Sequence, residues 1–79
     1  MIIPKETLDA IREELPHGAQ MDIAKEAGYT DEYVNMVLRA SKPITDSNKV
    51  IITIAQRIIR EKRAEEEAIK KDIENTIRK

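Results

Sequence analysis

The 79-residue chain contains no cysteine, no tryptophan and no phenylalanine, and its only aromatic side chains are two tyrosines. Without cysteine it has no disulfide and no thiolate ligand for a metal ion. It also has no apolar run long enough to cross a membrane and no export signal at its N-terminus. We therefore expect a cytoplasmic protein with no membrane segment.

Glycine and proline are also scarce, and charged residues make up 37% of the chain. No stretch alternates apolar and polar residues as a half-buried strand does, so the composition is typical of a small all-α protein. A single domain of this size has little room for an active-site cavity beside its core. His17 is the only histidine, and no nucleophile with its base and no glycine-rich phosphate loop is recognisable. We expect no enzymatic activity, no metal site and no small-molecule cofactor.

Apolar periodicity and helix-breaking residues predict four or five helices. The first runs from about Pro4 to Leu15 and ends at a Pro-His-Gly sequence. The second and third span about 19–27 and 31–40. A second break, at 41–43, follows the third helix.

The last predicted helix begins after this break, where Thr45, Asp46 or Ser47 is expected to cap it. Its wide apolar band consists of Val50, Ile51, Ile54, Ala55, Ile58 and Ile59. If continuous to the chain end, this helix is about 33 residues and roughly 50 Å long, so it must project from the body. We therefore divide the chain into a domain at 1–59 and a C-terminal helical extension at 60–79.

The central stretch QMDIAKEAGYTDEYVNMVLR has the spacing of a helix-turn-helix unit. Ala24 is a small residue at the point where two crossing helices need a close approach of their backbones. Four residues later, Gly28 supplies the positive φ that a tight turn requires. Thr30 can cap the next helix, and Asp31 and Glu32 place negative charge at its N-terminus.

Residues 15–59 resemble the small helix-turn-helix domains of phage and bacterial repressors, of the lambda and lactose repressor type. The matching positions are Gln20, Ala24, Gly28, Val34 and Val37. The stretch from the Leu-Pro-His-Gly turn onward is also similar to short stand-alone regulators of mobile elements. The resemblance implies a transcriptional regulator that binds double-stranded DNA and lays its recognition helix in the major groove.

The resemblance also assigns roles to single side chains. Gln20 would bond a phosphate, Asn35 can pair with adenine, and Arg39 can pair with guanine or a phosphate. Met36 can contact a thymine methyl group. Tyr33 lies at the flank, where either its hydroxyl reaches the DNA backbone or its ring packs on the preceding helix. The predicted DNA-binding set is Gln20, Thr30, Asp31, Glu32, Tyr33, Asn35, Met36, Arg39 and Lys42.

One feature departs from the family pattern, because Asp31 and Glu32 occupy reading positions where polar or basic residues are expected. Residues 1–42 hold five basic and eight acidic residues, so this half has a net charge of −3. DNA affinity depends largely on phosphate neutralisation, which makes a monomer of this kind a weak binder. Two functions stay open: a dimeric DNA-binding regulator, and a protein-interaction module that uses the acidic face or the last helix.

The C-terminal extension is the predicted dimer contact, through Ile69, Ile73 and Ile77, either helix to helix or against the body of the partner. A heptad pattern over the last helix is apolar at only five of eight seam positions, which falls short of a sustained zipper. A solvated helix with an incidental apolar stripe is the alternative interpretation. Local support is expected from ion pairs one turn apart, namely Glu66–Lys70, Glu67–Lys71 and Glu74–Arg78.

Overall fold

The computed structural model describes residues 2–78, which form four α-helices and no strand. The helices are α1 (Lys5–Glu14), α2 (Ala19–Ala27), α3 (Asp31–Leu38) and α4 (Val50–Ile77). The all-α prediction is thereby confirmed, and so is the long last helix. Within the same range, no helix is both long and apolar enough to cross a membrane.

Side chains from all four helices contribute to one core, in which α1 and α2 each pack against both α3 and α4. Its central members are fully buried and aliphatic, without a single aromatic ring. The buried cluster comprises Leu8, Ile23, Ala24, Val34, Val37, Leu38, Ile51, Ile52, Ile54 and Ala55. The predicted apolar band of α4 is largely correct, but Val50 is 38% exposed while its neighbour Ile52 is buried.

The turn between α2 and α3 has the conformation that the sequence predicts. Gly28 has a φ of 81°, and the carbonyl oxygen of Ala24 accepts hydrogen bonds from the backbone N–H groups of Gly28 (2.9 Å) and Tyr29 (3.0 Å). Thr30 then caps α3, because its hydroxyl oxygen accepts a hydrogen bond from the Tyr33 N–H at 3.1 Å. These bonds satisfy backbone groups that the ends of both helices would otherwise leave unpaired.

The third helix is shorter than predicted, ending at Leu38 rather than at residue 40. Ala40 adopts a left-handed conformation with a φ of 64°, which reverses the chain. The N–H of Ser41 donates to the carbonyl oxygen of Met36 at 2.8 Å, and the N–H of Ala40 donates to that of Val37 at 3.1 Å. This pair of bonds is a Schellman ending, with alanine at the position where glycine is usual.

The segment between α3 and α4 is organised around Asn48, which is only 1% exposed. Its side-chain nitrogen donates to the Tyr33 hydroxyl and to the Pro43 carbonyl oxygen, both at 3.0 Å. Its side-chain oxygen accepts from the Thr45 N–H at 2.7 Å, and its own N–H donates to the Thr45 hydroxyl oxygen at 3.2 Å. Thr45 therefore caps the turn at 45–49, in a reciprocal arrangement like a capping box. The N-cap of α4 itself is Lys49, which makes no side-chain capping bond, so none of the three predicted residues caps the last helix.

The predicted length of 33 residues for the last helix is wrong, since α4 has 28. The capped turn at 45–49 precedes it, and the N–H of Ile51 bonds to the Asn48 carbonyl three residues back, a tighter pattern than the α-helix. At about 1.5 Å per residue, α4 is still roughly 42 Å long. The radius of gyration is 15.3 Å, whereas a compact chain of this length has about 12 Å.

Charged side chains attach α4 to the rest of the body. The Arg57 guanidinium donates two hydrogen bonds of 2.8 Å to the Glu26 carboxylate on α2. Further along, Lys62 donates to the backbone oxygen of Glu14 at the end of α1 (3.0 Å), and Arg63 lies 3.4 Å from the Glu14 carboxylate. Residues 64–78 extend beyond these contacts and are exposed, so this part of α4 is the projecting tail.

Two of the three left-handed residues in the described range 2–78, Gly28 and Ala40, give a paired test of backbone strain. Replacing Gly28 with alanine should destabilise the fold by about 1 kcal/mol, because the left-handed conformation penalises a Cβ atom. An added Cβ meets no atom within 4 Å, so steric contact contributes nothing. Replacing Ala40 with glycine should stabilise it by roughly 0.5 to 1 kcal/mol for the converse reason. Urea unfolding measures both, and equal signs for the two variants would contradict this account.

The Glu26–Arg57 pair predicts a pH effect on stability. Hydrogen bonds from Arg57 hold the pKa of Glu26 below its ordinary value of 4.5. A carboxyl with a lowered pKa in the folded state contributes stability above its unfolded pKa and loses it as the pH falls through the folded pKa. The stability difference between wild type and Glu26→Gln should therefore be constant above pH 4.5 and shrink below it. Urea unfolding of both proteins at each pH measures this difference, and a difference that stays constant below pH 4.5 would contradict the account.

Candidate functional site

The outward face of α3 is open to solvent and carries most of the residues singled out from the sequence. Asp31, Glu32, Met36 and Arg39 are exposed, and Asn35 is half-buried. Met36, at 39% exposure, is one of the few large apolar side chains outside the core. The core of the protein thus holds α3 from one side only, and the other side is available to a ligand.

Gln20 couples the start of α2 to the start of α3. Its side-chain nitrogen donates a hydrogen bond of 3.3 Å to the backbone oxygen of Asp31, eleven residues further along the chain. The side chain is half-buried, so it positions the first turn of α3 relative to α2. A phosphate contact by the same side chain stays a prediction.

A cleft of about 220 Å³ lies where the end of α1, the start of α2 and the end of α3 meet. It brings together Gln20, Asn35 and Arg39, three of the residues predicted from the sequence to contact DNA. The complete lining is Arg12, Leu15, Pro16, Gly18, Gln20, Asn35, Leu38 and Arg39. Two arginines and two amides around one opening form a donor-rich site that suits an anionic oxygen.

Arg12 belongs to this cleft and was not among the predicted site residues. Its guanidinium pairs with Asp9 one turn earlier on α1, which from the sequence indicates only a local ion pair. Its Nε atom is buried and has no hydrogen-bond partner among the described residues. No signal in the sequence places α1 beside the end of α3, because that contact depends on the packing of three helices.

Charge is distributed unevenly along the exposed face of α3. Asp31 and Glu32 make its N-terminal end acidic, and their negative charges interact favourably with the helix dipole there. Arg39 makes the other end basic, while the charge of Arg12 in the cleft is compensated by Asp9. The face is therefore polarised over the length of one short helix, and a ligand that spans it must accommodate both signs of charge.

Tyr33 has a structural role that uses both its ring and its hydroxyl. The ring stacks on Tyr29 with a centroid separation of 4.6 Å and an interplanar angle of 17°. The hydroxyl accepts the bond from Asn48, while the Tyr29 hydroxyl donates to the Ser47 backbone oxygen at 3.1 Å. This tyrosine pair ties the turn before α3 to the segment before α4. The hydroxyl oxygen of Tyr33 is thus engaged as an acceptor inside the protein, and a contact of its O–H group with the DNA backbone stays a prediction.

The remaining cations lie away from the cleft. Lys42 borders a different cavity, of about 240 Å³, beneath the N-terminal segment. Lys25 lies on the far side of α2 beside Glu26 and Arg57, and Lys49 forms a 3.7 Å ion pair with Asp46. Among the basic residues in or next to the helix-turn-helix stretch 20–39, Arg39 is the one that lines the cleft together with Gln20.

The tail carries the three predicted dimerisation residues on its surface. Ile69, Ile73 and Ile77 are 52%, 51% and 76% exposed. The predicted ion pairs along the tail are wrong, because none of Glu66–Lys70, Glu67–Lys71 and Glu74–Arg78 is among the ion pairs of the described residues. Holding two long exposed side chains together costs entropy that a solvated pair scarcely recovers.

No cluster of three metal-ligating side chains occurs in residues 2–78. Compared with known proteins, the chain matches no family model, no curated protein and no solved structure. The properties of the exposed α3 face and of the tail therefore rest on this chain's own residues.

The bonds of Asn48 predict how firmly α3 is positioned. Replacing Asn48 with alanine leaves the Thr45 N–H and the Pro43 carbonyl without partners, so a loss of about 3 kcal/mol is expected. Tyr33→Phe removes one bond of the same group and should cost about 1 kcal/mol. Urea unfolding measures both variants. An Asn48→Ala protein as stable as wild type would show that water replaces the side chain and that the buried bonds are not limiting.

Proposed function

We propose that this protein is a small DNA-binding regulator of transcription that lays α3 in the major groove and acts in the cytoplasm as a dimer. The observation that carries the proposal is the cleft at the end of α3, where Gln20, Asn35 and Arg39 meet beside an exposed helix face. A helix presented from one side only has the shape that the major groove admits.

The basic end of the site supplies phosphate contacts in this proposal. Arg39 can donate two parallel hydrogen bonds to a phosphate, and Gln20 lies in the same cleft. Arg12 also lines this cleft, with its guanidinium already paired with Asp9. Such contacts fix the position of the protein on the duplex without reading sequence. Asn35 and Met36, one residue apart on the outer face, are then placed to contact base edges.

The two carboxylates at the N-terminal end of α3 increase base selectivity in this proposal and lower the overall affinity for DNA. Asp31 and Glu32 can accept hydrogen bonds from the amino group of cytosine, while they repel phosphates. Each protomer therefore has few cations at the interface, and phosphate neutralisation is limited. Two copies bound to one duplex raise the overall affinity through effective concentration, which is why the proposal includes a dimer.

A second candidate function is a protein-interaction module that keeps the same scaffold and represses or activates nothing by itself. The exposed carboxylates of Asp31 and Glu32 favour it, because they suit a basic partner surface. In this case the cleft residues would contact a protein instead of phosphates.

Fluorescence anisotropy with a random-sequence duplex, at low and at near-physiological salt, tests the first proposal. Binding at low salt that weakens steeply with salt is expected, because cation release accompanies phosphate contacts. Arg39→Gln should weaken binding and reduce the salt slope by about 1. Asp31→Asn combined with Glu32→Gln should strengthen binding to random sequence, since two repulsive charges are removed.

Lys25→Gln is the matched control, because it removes one positive charge from the far side of α2. It should leave the salt slope nearly unchanged. An equal effect of Arg39→Gln and Lys25→Gln would show that only net charge matters and that the cleft is not the contact. No binding at low salt would contradict the DNA proposal and favour the interaction module. In that case the protein with both Asp31→Asn and Glu32→Gln should bind its protein partner less tightly.

A further inference from the structure

The projecting tail presents two adjacent rows of side chains, each with a spacing of four residues. One row is apolar and consists of Ile69, Ile73 and Ile77. The other alternates in charge and consists of Glu66, Lys70, Glu74 and Arg78. Together they border a shallow groove on α4 lined by Glu66, Ile69, Lys70, Ile73 and Glu74.

Both rows lack partners within the described chain. The isoleucines are at least half exposed, and the body's last side-chain contacts with α4 are those of Lys62 and Arg63. None of the four charged residues in the second row belongs to an ion pair in residues 2–78. A surface that combines an apolar stripe with uncompensated charges is typical of a helix–helix contact.

The order of the charges along this row indicates which partner packs against the tail. Read from the body outward, the charged row is negative, positive, negative, positive. A second copy of the same row in antiparallel orientation presents the opposite sign at every position. A second copy in parallel orientation and in register presents the same sign at every position, and like charges directly opposite each other are destabilising.

We propose that the tail pairs with the tail of a second copy in antiparallel orientation, about a two-fold axis that passes beside residue 72. In this register Glu66 faces Arg78 of the second copy, and Lys70 faces Glu74 of the second copy. Each of these contacts occurs twice, because the interface of a two-fold dimer is self-complementary.

The same register also packs the isoleucines. Ile73 of one helix falls midway between Ile69 and Ile73 of the other, and Ile69 falls midway between Ile73 and Ile77. The six side chains therefore alternate between the two helices at intervals of about 3 Å along the axis, two residues at 1.5 Å each. A single position of the two-fold axis therefore interdigitates the isoleucines and also places opposite charges across from each other.

This inference rests on the dimer in the proposed function, and it specifies how that dimer forms. The absence of native cysteine allows single thiols to report on it. Asp72 and Glu65 are two acidic residues seven positions apart, so they lie on the same side of α4. In the antiparallel dimer the two copies of residue 72 are side by side, whereas the two copies of residue 65 are separated by about 21 Å along the axis.

The experiment measures mass by light scattering and cross-linking by a short bismaleimide in full-length Asp72→Cys and Glu65→Cys proteins. The proposal requires dimeric mass for both variants, extensive cross-linking of Asp72→Cys and little of Glu65→Cys. Ile73→Ser should shift the mass to that of one chain without loss of helicity, because this side chain is exposed in the monomer.

Equal cross-linking of the two cysteine variants would overturn the proposal in favour of a parallel pair. Dimers that cross-link at neither position would place the tail on the partner's body and would also overturn it, as would a monomer at all concentrations. DNA binding is measured separately by the anisotropy titration. A cross-linked antiparallel dimer that fails to bind DNA would leave this inference intact and contradict only the DNA proposal.

Discussion

The position of α3 depends on one buried amide, that of Asn48. The eleven residues at 39–49 connect α3 to α4 without a helix, and their backbone groups need partners where water is excluded. Asn48 bonds Pro43, Thr45 and Tyr33 at once, so it closes this segment on itself and onto α3. An aliphatic side chain of the same size would pack equally well and leave all of these groups unpaired.

Because the core contains only aliphatic side chains, it specifies where the helices lie less strictly than large rings would. The polar contacts around it add that specification. Tyr33 joins α3 to the segment before α4, Gln20 joins α2 to α3, and Arg57 joins α4 to α2 through Glu26. Each of these contacts involves α2 or α3 itself. These connections therefore determine how the α3 face is oriented on the protein. They leave Asp31 and Glu32 exposed at its N-terminal end and Arg39 exposed at its C-terminal end, which gives the face its two signs of charge.

Features that depend on nearby residues were predictable from the sequence. The bounds of α2, the left-handed Gly28 and the Thr30 cap all involve residues within about one helical turn of each other, and all three predictions are confirmed. The bond from Asn48 to Tyr33 spans 15 residues and the Glu26–Arg57 pair spans 31, and no local pattern encodes either. The same reason explains why Arg12 was missed. The tail ion pairs failed differently, because a spacing of four residues permits an ion pair between exposed side chains without requiring one: Arg57 and Glu61 form such a pair on α4 at 3.2 Å, whereas the predicted tail pairs do not form.

The length of the tail fixes the geometry of any dimer that it makes. In antiparallel pairing about residue 72, the two Arg63 residues, where each body ends, are separated by 18 residues of axial rise, or about 27 Å. Both bodies lie outside that interval, so their α3 surfaces are further apart than the two tail ends. Ile59, the core residue of α4 nearest the tail, is then 26 residues of axial rise, or about 39 Å, from its copy. The two cores are therefore further apart than adjacent half-sites on one DNA face, which are separated by about 34 Å. A polar, weakly self-associating helix is then sufficient, because its function in the proposed dimer is to maintain a distance rather than to supply most of the stability.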